Sequence, residues 1–137
     1  MKLIGDDMCF ACGKGNPIGL KLSFEEVDGK ARASFISLEE HSGYVGIVHG
    51  GIITTLLDEA MAYACIMKGI GAVTAEIRVR FRNPASPGER IEVEGEVVGR
   101  KGKVVLAKAK AYRPDGTPIA EGEGKLIEME GFEWKGG

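Results

Sequence analysis

The sequence has too few cysteines for a disulfide framework. It contains three, Cys9, Cys12 and Cys65, and the last lies in an apolar stretch typical of a helix. Small secreted domains held together by disulfides carry several cysteine pairs. The N-terminus also lacks a basic stretch followed by an apolar run, which argues against a secretory signal. We therefore expect a protein of the reducing cytoplasm.

An excess of positive charge and a long uninterrupted hydrophobic run are also absent. The 18 lysines and arginines are balanced by 20 acidic residues, and the net charge of −2 gives the chain as a whole no attraction for nucleic acid. The apolar stretch at residues 52–67 is short for an untilted membrane span and carries Asp58 and Glu59 at its centre. We expect neither nucleic acid nor a membrane as a partner.

What is present fits one domain with a substantial core. The chain has 137 residues, of which 44% are hydrophobic. We assign residues 1–137 to a single domain, with an N-terminal segment at 1–19 and a loosely held tail at 131–137.

Strand-like runs surround a single helix-like stretch. The Asp28-Gly29 turn between two partly alternating runs predicts a hairpin. A helix follows, beginning at Gly50-Gly51 and ending near Lys68 and Gly69. Further strand-like runs are "AVTAEIRVRF", "RIEVEGEVVG", "VVLAKAKAYR" and "TPIAEGEGKLIEM". One helix among strands predicts an α+β fold, in which an antiparallel sheet buries its apolar face against the helix. Because the helix is apolar nearly all round and one sheet covers only one side, we also expect a second copy of the chain.

The helix start is a candidate binding site for an anion. Gly50 and Gly51 let a substrate approach the backbone, and the first N–H groups of a helix have no partners within it. Together with the helix dipole, these donors favour an oxyanion or a phosphate. The alternative is that the two glycines only allow a sharp turn.

Asp58 is the second candidate, because an acid on an apolar helix needs a partner or a task. One helical turn away lie Thr54, Thr55, Met61 and Ala62, none of them basic. Asp58 is therefore either a working group of a site or the partner of a loop or of an arginine from the sheet. Gly50 and Asp58 are eight residues apart, about 12 Å along a helix. One chain cannot bring both to the same carbonyl, whereas two antiparallel chains can.

Three segments resemble one known family. "HGGIITTLLDEAMAYA", "CFACGKGNPIGLKL" and "VTAEIRVRFRNPASPGE" are similar to the hotdog-fold thioesterases of the phenylacetate-pathway (PaaI-like) type. The resemblance implies a hotdog fold, in which a curved antiparallel sheet wraps one long central helix. It also implies hydrolysis of an acyl-CoA thioester without a cofactor, by a homodimer or a dimer of dimers.

The resemblance also implies residue roles. Asp58 falls on the catalytic acid, which attacks the thioester carbonyl or activates a water. Gly50 falls on the oxyanion-hole amide, and His49 on a histidine that shapes the loop or touches the substrate carbonyl. Thr74 falls on a hydroxyl that holds the attacking water in some members.

The chain departs from the family at one position. Relatives usually carry Asn or Gln six or seven residues before the histidine, where this chain has Gly43 and Ser42. We expect Ser42 or His41 to take over the contact with the nucleophile or the substrate, or the activity to be weak.

The strand "IRVRFR" alternates apolar and basic residues. Its arginines suit the phosphates of coenzyme A. The interpretation we favour is that they pair with acids of the next strand along the chain. The residues concerned are Arg78, Arg80 and Arg82, with Glu92, Glu94 and Glu96 as the acids.

Cys9 and Cys12 form half of a zinc-ribbon-like ligand set. A second pair is missing from the sequence, so we expect a packed N-terminal knuckle and no metal, with a metal shared between chains as the alternative.

Two further functions stay open beside acyl-CoA hydrolysis. A hotdog-fold dehydratase or hydratase would use His49 and Asp58 to move protons between adjacent carbons. A non-catalytic acyl-CoA binding protein would keep the fold and lose turnover.

Overall fold

The computed structural model describes residues 3–134, which form one long helix and eight strands. A short 3₁₀ turn at Glu39–His41 precedes the helix. The elements in chain order are β1 (Leu3–Gly5), β2 (Glu25–Val27), β3 (Lys30–Ile36), α1 (Gly50–Met67), β4 (Ala72–Phe81), β5 (Arg90–Lys101), β6 (Val104–Tyr112), β7 (Pro118–Glu128) and β8 (Phe132–Trp134).

Six of the strands form one antiparallel sheet, in the order β2-β3-β5-β6-β7-β4. The helix α1 shares a single hydrophobic core with this sheet. By length and composition alone α1 would pass for a membrane-spanning helix, but part of its surface is buried against strands of its own chain. The predicted α+β architecture, with one helix against an antiparallel sheet, is confirmed.

One side of α1 carries the core. The residues buried on this side are Ile53, Leu56, Leu57, Ala60, Met61, Ala64 and Cys65. They recur at steps of three and four residues, which places them on one helical face. Another stripe of the helix is not buried within the chain and comprises Gly51, Thr55, Asp58, Ala62 and Ile66. The sheet therefore covers one side only, as the sequence predicts.

The N-terminal segment covers a flank of the helix that we expected a second copy to cover. Ala11 of this segment is buried in the core, as are Leu20 and Leu22, which follow it directly. The ring of Phe24 stacks on Tyr63 of α1, with 5.2 Å between ring centroids. Two apolar sides of α1 are thus buried within one chain, one by the sheet and one by the N-terminal part of the chain. The surface left for a partner is the narrower stripe that contains Asp58.

Glycines in the sheet allow the helix to approach closely. A Cβ added at Gly95 of β5 would lie 2.5 Å from the backbone oxygen of Ala60 in α1. On β7, a Cβ at Gly124 would lie 3.1 Å from the Sδ atom of Met61. The "EGEGK" run therefore supplies space for the helix side chains.

The expected partners of the arginines on β4 were wrong. Strand β4 pairs with β7 and not with β5, so Arg78 and Arg80 stand opposite Glu123 and Glu121. The Nε atom of Arg82 also donates to Glu121, over 3.1 Å. The acids of β5 have other partners: Glu92 pairs with Arg90, Glu94 with Lys30 and Lys110, and Glu96 with Lys108. Sheet order, which local spacing does not reveal, decided these pairs.

The predicted loose tail begins with a short strand. Phe132–Trp134 forms β8 and pairs in parallel with β1, so the two ends of the described chain lie together. Residues 135–137 of the predicted tail lie outside the described residues, as do residues 1–2 of the N-terminal segment.

The close approach at Gly95 gives a test of the fold. We expect Gly95→Ala to lower the free energy of unfolding by about 1–3 kcal/mol, because the new methyl group meets helix backbone that cannot rotate away. Chemical denaturation measures the change. The control is Gly99→Ala in the same strand, whose Cβ would meet only Leu106 at 3.6 Å and should cost less than about 0.5 kcal/mol. Equal stability of the two variants would contradict the account of helix packing.

Candidate active site

The helix α1 begins with one free backbone donor. The Nδ1 atom of His49, the N-cap residue, accepts a hydrogen bond from the Gly51 N–H over 2.8 Å. The N–H groups of Ile52 and Ile53 donate to the His49 carbonyl oxygen. Within residues 3–134 the Gly50 N–H has no acceptor. Because the helix dipole also favours negative charge here, the exposed Gly50 amide suits an anion.

A tight loop fixes the position of this amide. Ser42 and Val48 form an isolated antiparallel bridge, and the His49 N–H donates to the His41 carbonyl oxygen over 2.8 Å. A Cβ at Gly43 would lie 3.3 Å from the Cα of His49, so the loop packs directly on the N-cap. His49 itself is exposed and is placed by backbone contacts rather than by burial.

Asp58 is held by a threonine from the sheet. The Thr74 hydroxyl donates to Oδ1 of Asp58 over 2.6 Å, and both residues are partly buried. A β-bulge between Thr74 and Glu76 interrupts the pairing of β4 with β7 at this point. Bulges redirect side chains and are common beside active sites. Within the described part of the chain no lysine, arginine or histidine pairs with Asp58.

The structure does not bring Gly50 and Asp58 together in one chain. They lie on the same helix, eight residues apart, which is about 12 Å. Gly50 is exposed and Asp58 lies on the unburied stripe. Large apolar side chains next to the helix start are also exposed, namely Tyr44, Val45, Ile47 and Phe81.

His41 and Ser42, the two candidate replacements for the family's Asn or Gln, differ in whether their polar side-chain atoms already have hydrogen-bond partners. The Nδ1 atom of His41 accepts from the Leu38 N–H over 2.9 Å, and its ring packs on Phe35. The Ser42 hydroxyl oxygen is buried and has no hydrogen-bond partner among residues 3–134. Ser42 therefore has the free polar group, and it lies in the loop that carries His49.

The arginines of β4 face away from the helix. Ile77 and Val79 pack on the core, so the alternate residues Arg78 and Arg80 point to the outer face of the sheet. There they line a shallow groove of about 380 Å³ together with acidic residues that include Glu121 and Glu123. The structure does not bring these arginines near Asp58 of the same chain.

Glu59 is the residue whose position the sequence did not reveal. Glu59, which follows Asp58 directly on the helix, is a partly buried acceptor that faces Cys9 and Cys12. Burial raises the pKa of the Glu59 carboxyl. Burial and the nearby Glu59 charge also raise the pKa of the Cys12 thiol. The one sequence signal for this cluster is the Cys-x-x-Cys spacing, which does not indicate the acid.

Comparison with known proteins decides the family. Residues 45–120, which include the helix, Thr74, three strands of the sheet and the start of a fourth, match the thioesterase superfamily. The chain belongs to the thioesterase superfamily. The resemblance to hotdog-fold thioesterases stated from the sequence is thereby confirmed.

Two curated relatives of this superfamily member illustrate the range of similarity. Human acyl-coenzyme A thioesterase 13 is 33% identical over 69 residues, which are 49% of this chain and 49% of the relative. A Saccharolobus solfataricus protein named as an esterase is 30% identical over 115 residues, 82% of this chain and 75% of the relative. The chain thus spans about half the length of the first curated relatives it matches.

Solved structures share the fold of this chain. One thioesterase superfamily protein has a TM-score of 0.84 at 23% identity, covering 88% of this chain and 60% of that protein. The E. coli PaaI protein from the phenylacetic acid degradation operon has a TM-score of 0.76 at 21% identity, covering 85% and 84%. A Streptococcus mutans protein crystallised with acetyl CoA has a TM-score of 0.73 at 17% identity, covering 79% and 88%.

One shorter match is to a protein named for a different reaction. A 3-hydroxyacyl-[acyl-carrier-protein] dehydratase of Campylobacter fetus is 40% identical over 53 residues, which are 39% of this chain and 35% of the relative.

Proposed function

We propose that this chain is an acyl-CoA thioesterase, which hydrolyses a thioester to a free acid and coenzyme A. One observation carries the proposal. The central helix presents a carboxylate without a cationic partner, Asp58, and a backbone amide without an acceptor, Gly50, outside the chain's own core. A carboxylate and an oxyanion-binding donor are the two groups that thioester hydrolysis needs.

The Gly50 amide is the proposed oxyanion donor. The substrate carbonyl oxygen accepts from this N–H and gains negative charge as the tetrahedral intermediate forms. Because the Gly51 N–H is already bonded to His49, Gly51 serves by leaving room for the substrate. His49 acts as a positioning residue that orders the helix start. The Ser42 hydroxyl is buried without a partner in this loop and would reach the substrate or a water only after the loop shifts.

Asp58 is the proposed catalytic residue. In one route its carboxylate attacks the thioester carbon, the thiolate of coenzyme A leaves, and water then hydrolyses the mixed anhydride. In the other route Asp58 takes a proton from a water molecule that attacks the same carbon, and the proton passes to the leaving thiolate. The Thr74 hydroxyl, which we expected to hold the water, donates to Asp58 itself and fixes the direction of its free oxygen.

The site is shared between two chains in this proposal. Antiparallel packing of two α1 helices along the stripe at Asp58 brings Gly50 of one protomer to Asp58 of its partner. The exposed side chains of Tyr44, Val45 and Phe81 beside the helix start give the second chain an apolar surface to bury. A homodimer is the smallest assembly with a complete site, and a dimer of dimers is compatible with it.

The substrate class follows from the chemistry and from relatives. A human relative is named an acyl-coenzyme A thioesterase, and a structural relative was crystallised with acetyl CoA. Arg78, Arg80 and Arg82 reach bound coenzyme A only if its phosphates extend to the outer face of a sheet. We also propose a cytoplasmic setting, in keeping with three cysteines that form no disulfide.

A dehydratase is the second candidate, because of the match to the Campylobacter fetus protein. That reaction needs a histidine side chain as a proton carrier. In this chain one ring nitrogen of His49 serves as the helix cap, and the superfamily match covers more of the chain. Enoyl-CoA hydration measured beside thiol release separates the two reactions.

The proposed role of Asp58 predicts a separation of turnover from binding. We expect Asp58→Asn to lower kcat for release of free thiol from acyl-CoA by about 10³-fold or more, because the amide can neither attack nor accept a proton. Binding of coenzyme A, measured by calorimetry, should persist. Glu76→Gln, a change of an exposed acid on β4, is the control and should keep the wild-type rate. Thiol release by the Asp58 variant at the rate of this control would rule out the assigned role.

The proposed role of the Gly50 amide is testable because proline suits this position. Gly50 is the first helical residue, and His49 already has φ −58° and ψ 135°, the extended conformation that a residue before proline adopts. Gly50→Pro removes the N–H and should lower kcat by about 10²–10³-fold at unchanged stability.

Gly50→Ala keeps the N–H and is the matched control. Its Cβ would meet the Phe81 ring at 3.4 Å, an ordinary contact, so activity within a few-fold of wild type is expected. A folded proline variant as active as the alanine variant would exclude this amide as the oxyanion donor.

A further inference from the structure

The N-terminal segment places two cysteines against an acid of the central helix. The Sγ atoms of Cys9 and Cys12 and a carboxylate oxygen of Glu59 all lie within 4.8 Å of one another. Cys9 Sγ is 3.9 Å from Oε1 of Glu59. All three residues are partly buried. Glu59 lies 50 positions after Cys9 along the chain.

The turn that carries the cysteines is tightly built. The Cys12 N–H donates to Cys9 Sγ over 3.3 Å, and the Gly13 N–H donates to the Cys9 carbonyl oxygen over 2.8 Å. A Cβ at Gly13 would lie 2.2 Å from the backbone oxygen of Asp7, so only glycine fits after the second cysteine. The turn thereby holds the two sulfur atoms on the side of the segment that faces Glu59. Two cysteines with two residues between them are also a common spacing for zinc ligands.

Within residues 3–134 the carboxylate of the cluster accepts from a thiol and has no cationic partner. In the part of the chain that the structure describes, no lysine, arginine or histidine forms an ion pair or hydrogen bond with Glu59, Cys9 or Cys12. A carboxylate that is partly buried without a counter-charge costs free energy. A divalent cation would supply the missing positive charge to all three groups at once.

We propose that Cys9, Cys12 and Glu59 bind a thiolate-preferring divalent cation, with Zn²⁺ as the ion that best suits this ligand set. Two thiolates and a carboxylate are all ligands that zinc accepts. Binding releases the two thiol protons to solvent and leaves the oxidation state of metal and sulfur unchanged. Three protein ligands leave one position for a water molecule.

The ion would join the N-terminal segment to α1. Cys9 packs against the core and Cys12 lies in the same turn, whereas Glu59 follows Asp58 directly on the helix. The cation therefore stabilises the cover over one flank of the helix and orders the helix turn that carries Asp58. The proposal is independent of the hydrolytic activity, because none of the three ligands takes part in the reaction.

Cobalt(II) is a suitable probe, because it replaces zinc in thiolate sites and has visible absorption. We expect the reduced, metal-free full-length protein to bind one Co²⁺ per chain, with an intense thiolate-to-cobalt band, and to exchange it for Zn²⁺. Glu59→Gln should weaken binding about tenfold or more, and Cys9→Ser or Cys12→Ser should remove the thiolate band. Two controls, Cys65→Ala at the third cysteine and Asp58→Asn, should leave the affinity for Co²⁺ and the thiolate band unchanged.

A measurement on the unmodified chain covers the case in which a variant fails to fold. Zn²⁺ should protect Cys9 and Cys12 from alkylation, as mapped by mass spectrometry, and should raise the midpoint of thermal unfolding. The proposal is overturned if the reduced wild-type protein shows no thiolate band, if Zn²⁺ leaves both cysteines reactive, or if Glu59→Gln binds Co²⁺ as tightly as Glu76→Gln.

Discussion

The incomplete burial of one helix is the constraint on which the structure depends. The sheet covers the side of α1 that contains Leu56, Leu57 and Met61. The N-terminal segment covers the flank at Glu59, and Phe24, shortly after it, covers Tyr63. The remaining stripe holds Asp58, with a hydrogen bond from Thr74 and no cation. A second protomer packed on this stripe would bury apolar surface and at the same time bring a helix start to the carboxylate.

The same helix thus contributes two chemically opposite groups. Its first residue offers an N–H at the positive end of the helix dipole, and its middle offers a negative charge. Within one chain they are about 12 Å apart and cannot act together. The N-cap by His49 and the bulge beside Thr74 fix the two groups separately. The proposed hydrolysis therefore requires assembly and not a movement within the protomer.

Local sequence patterns predict the elements of this fold better than they predict its long-range contacts. Helix ends depend on residues that are close in sequence, so Gly50-Gly51 and Gly69 predict where the helix begins and ends. The observed helix, Gly50–Met67, agrees with this prediction. The partners of Arg78 and Arg80 were wrong because β4 pairs with β7, the strand farthest from it along the chain among β5, β6 and β7. The contact of Glu59 with Cys9 spans 50 residues, and no periodicity reports it. The resemblance implies a role for Thr74 but not its direct hydrogen bond to Asp58, which lies beside a bulge in the sheet.

Complementation between two inactive variants tests the shared site most directly. Chains carrying Asp58→Asn and Gly50→Pro would be co-expressed with different tags, and the mixed dimers isolated by both tags. Each mixed dimer contains one site with an intact acid from one chain and an intact amide from the other, so thiol release at about half the wild-type rate is expected. Mixed dimers as inactive as the two parent variants would show that acid and amide act within one chain and would contradict the account.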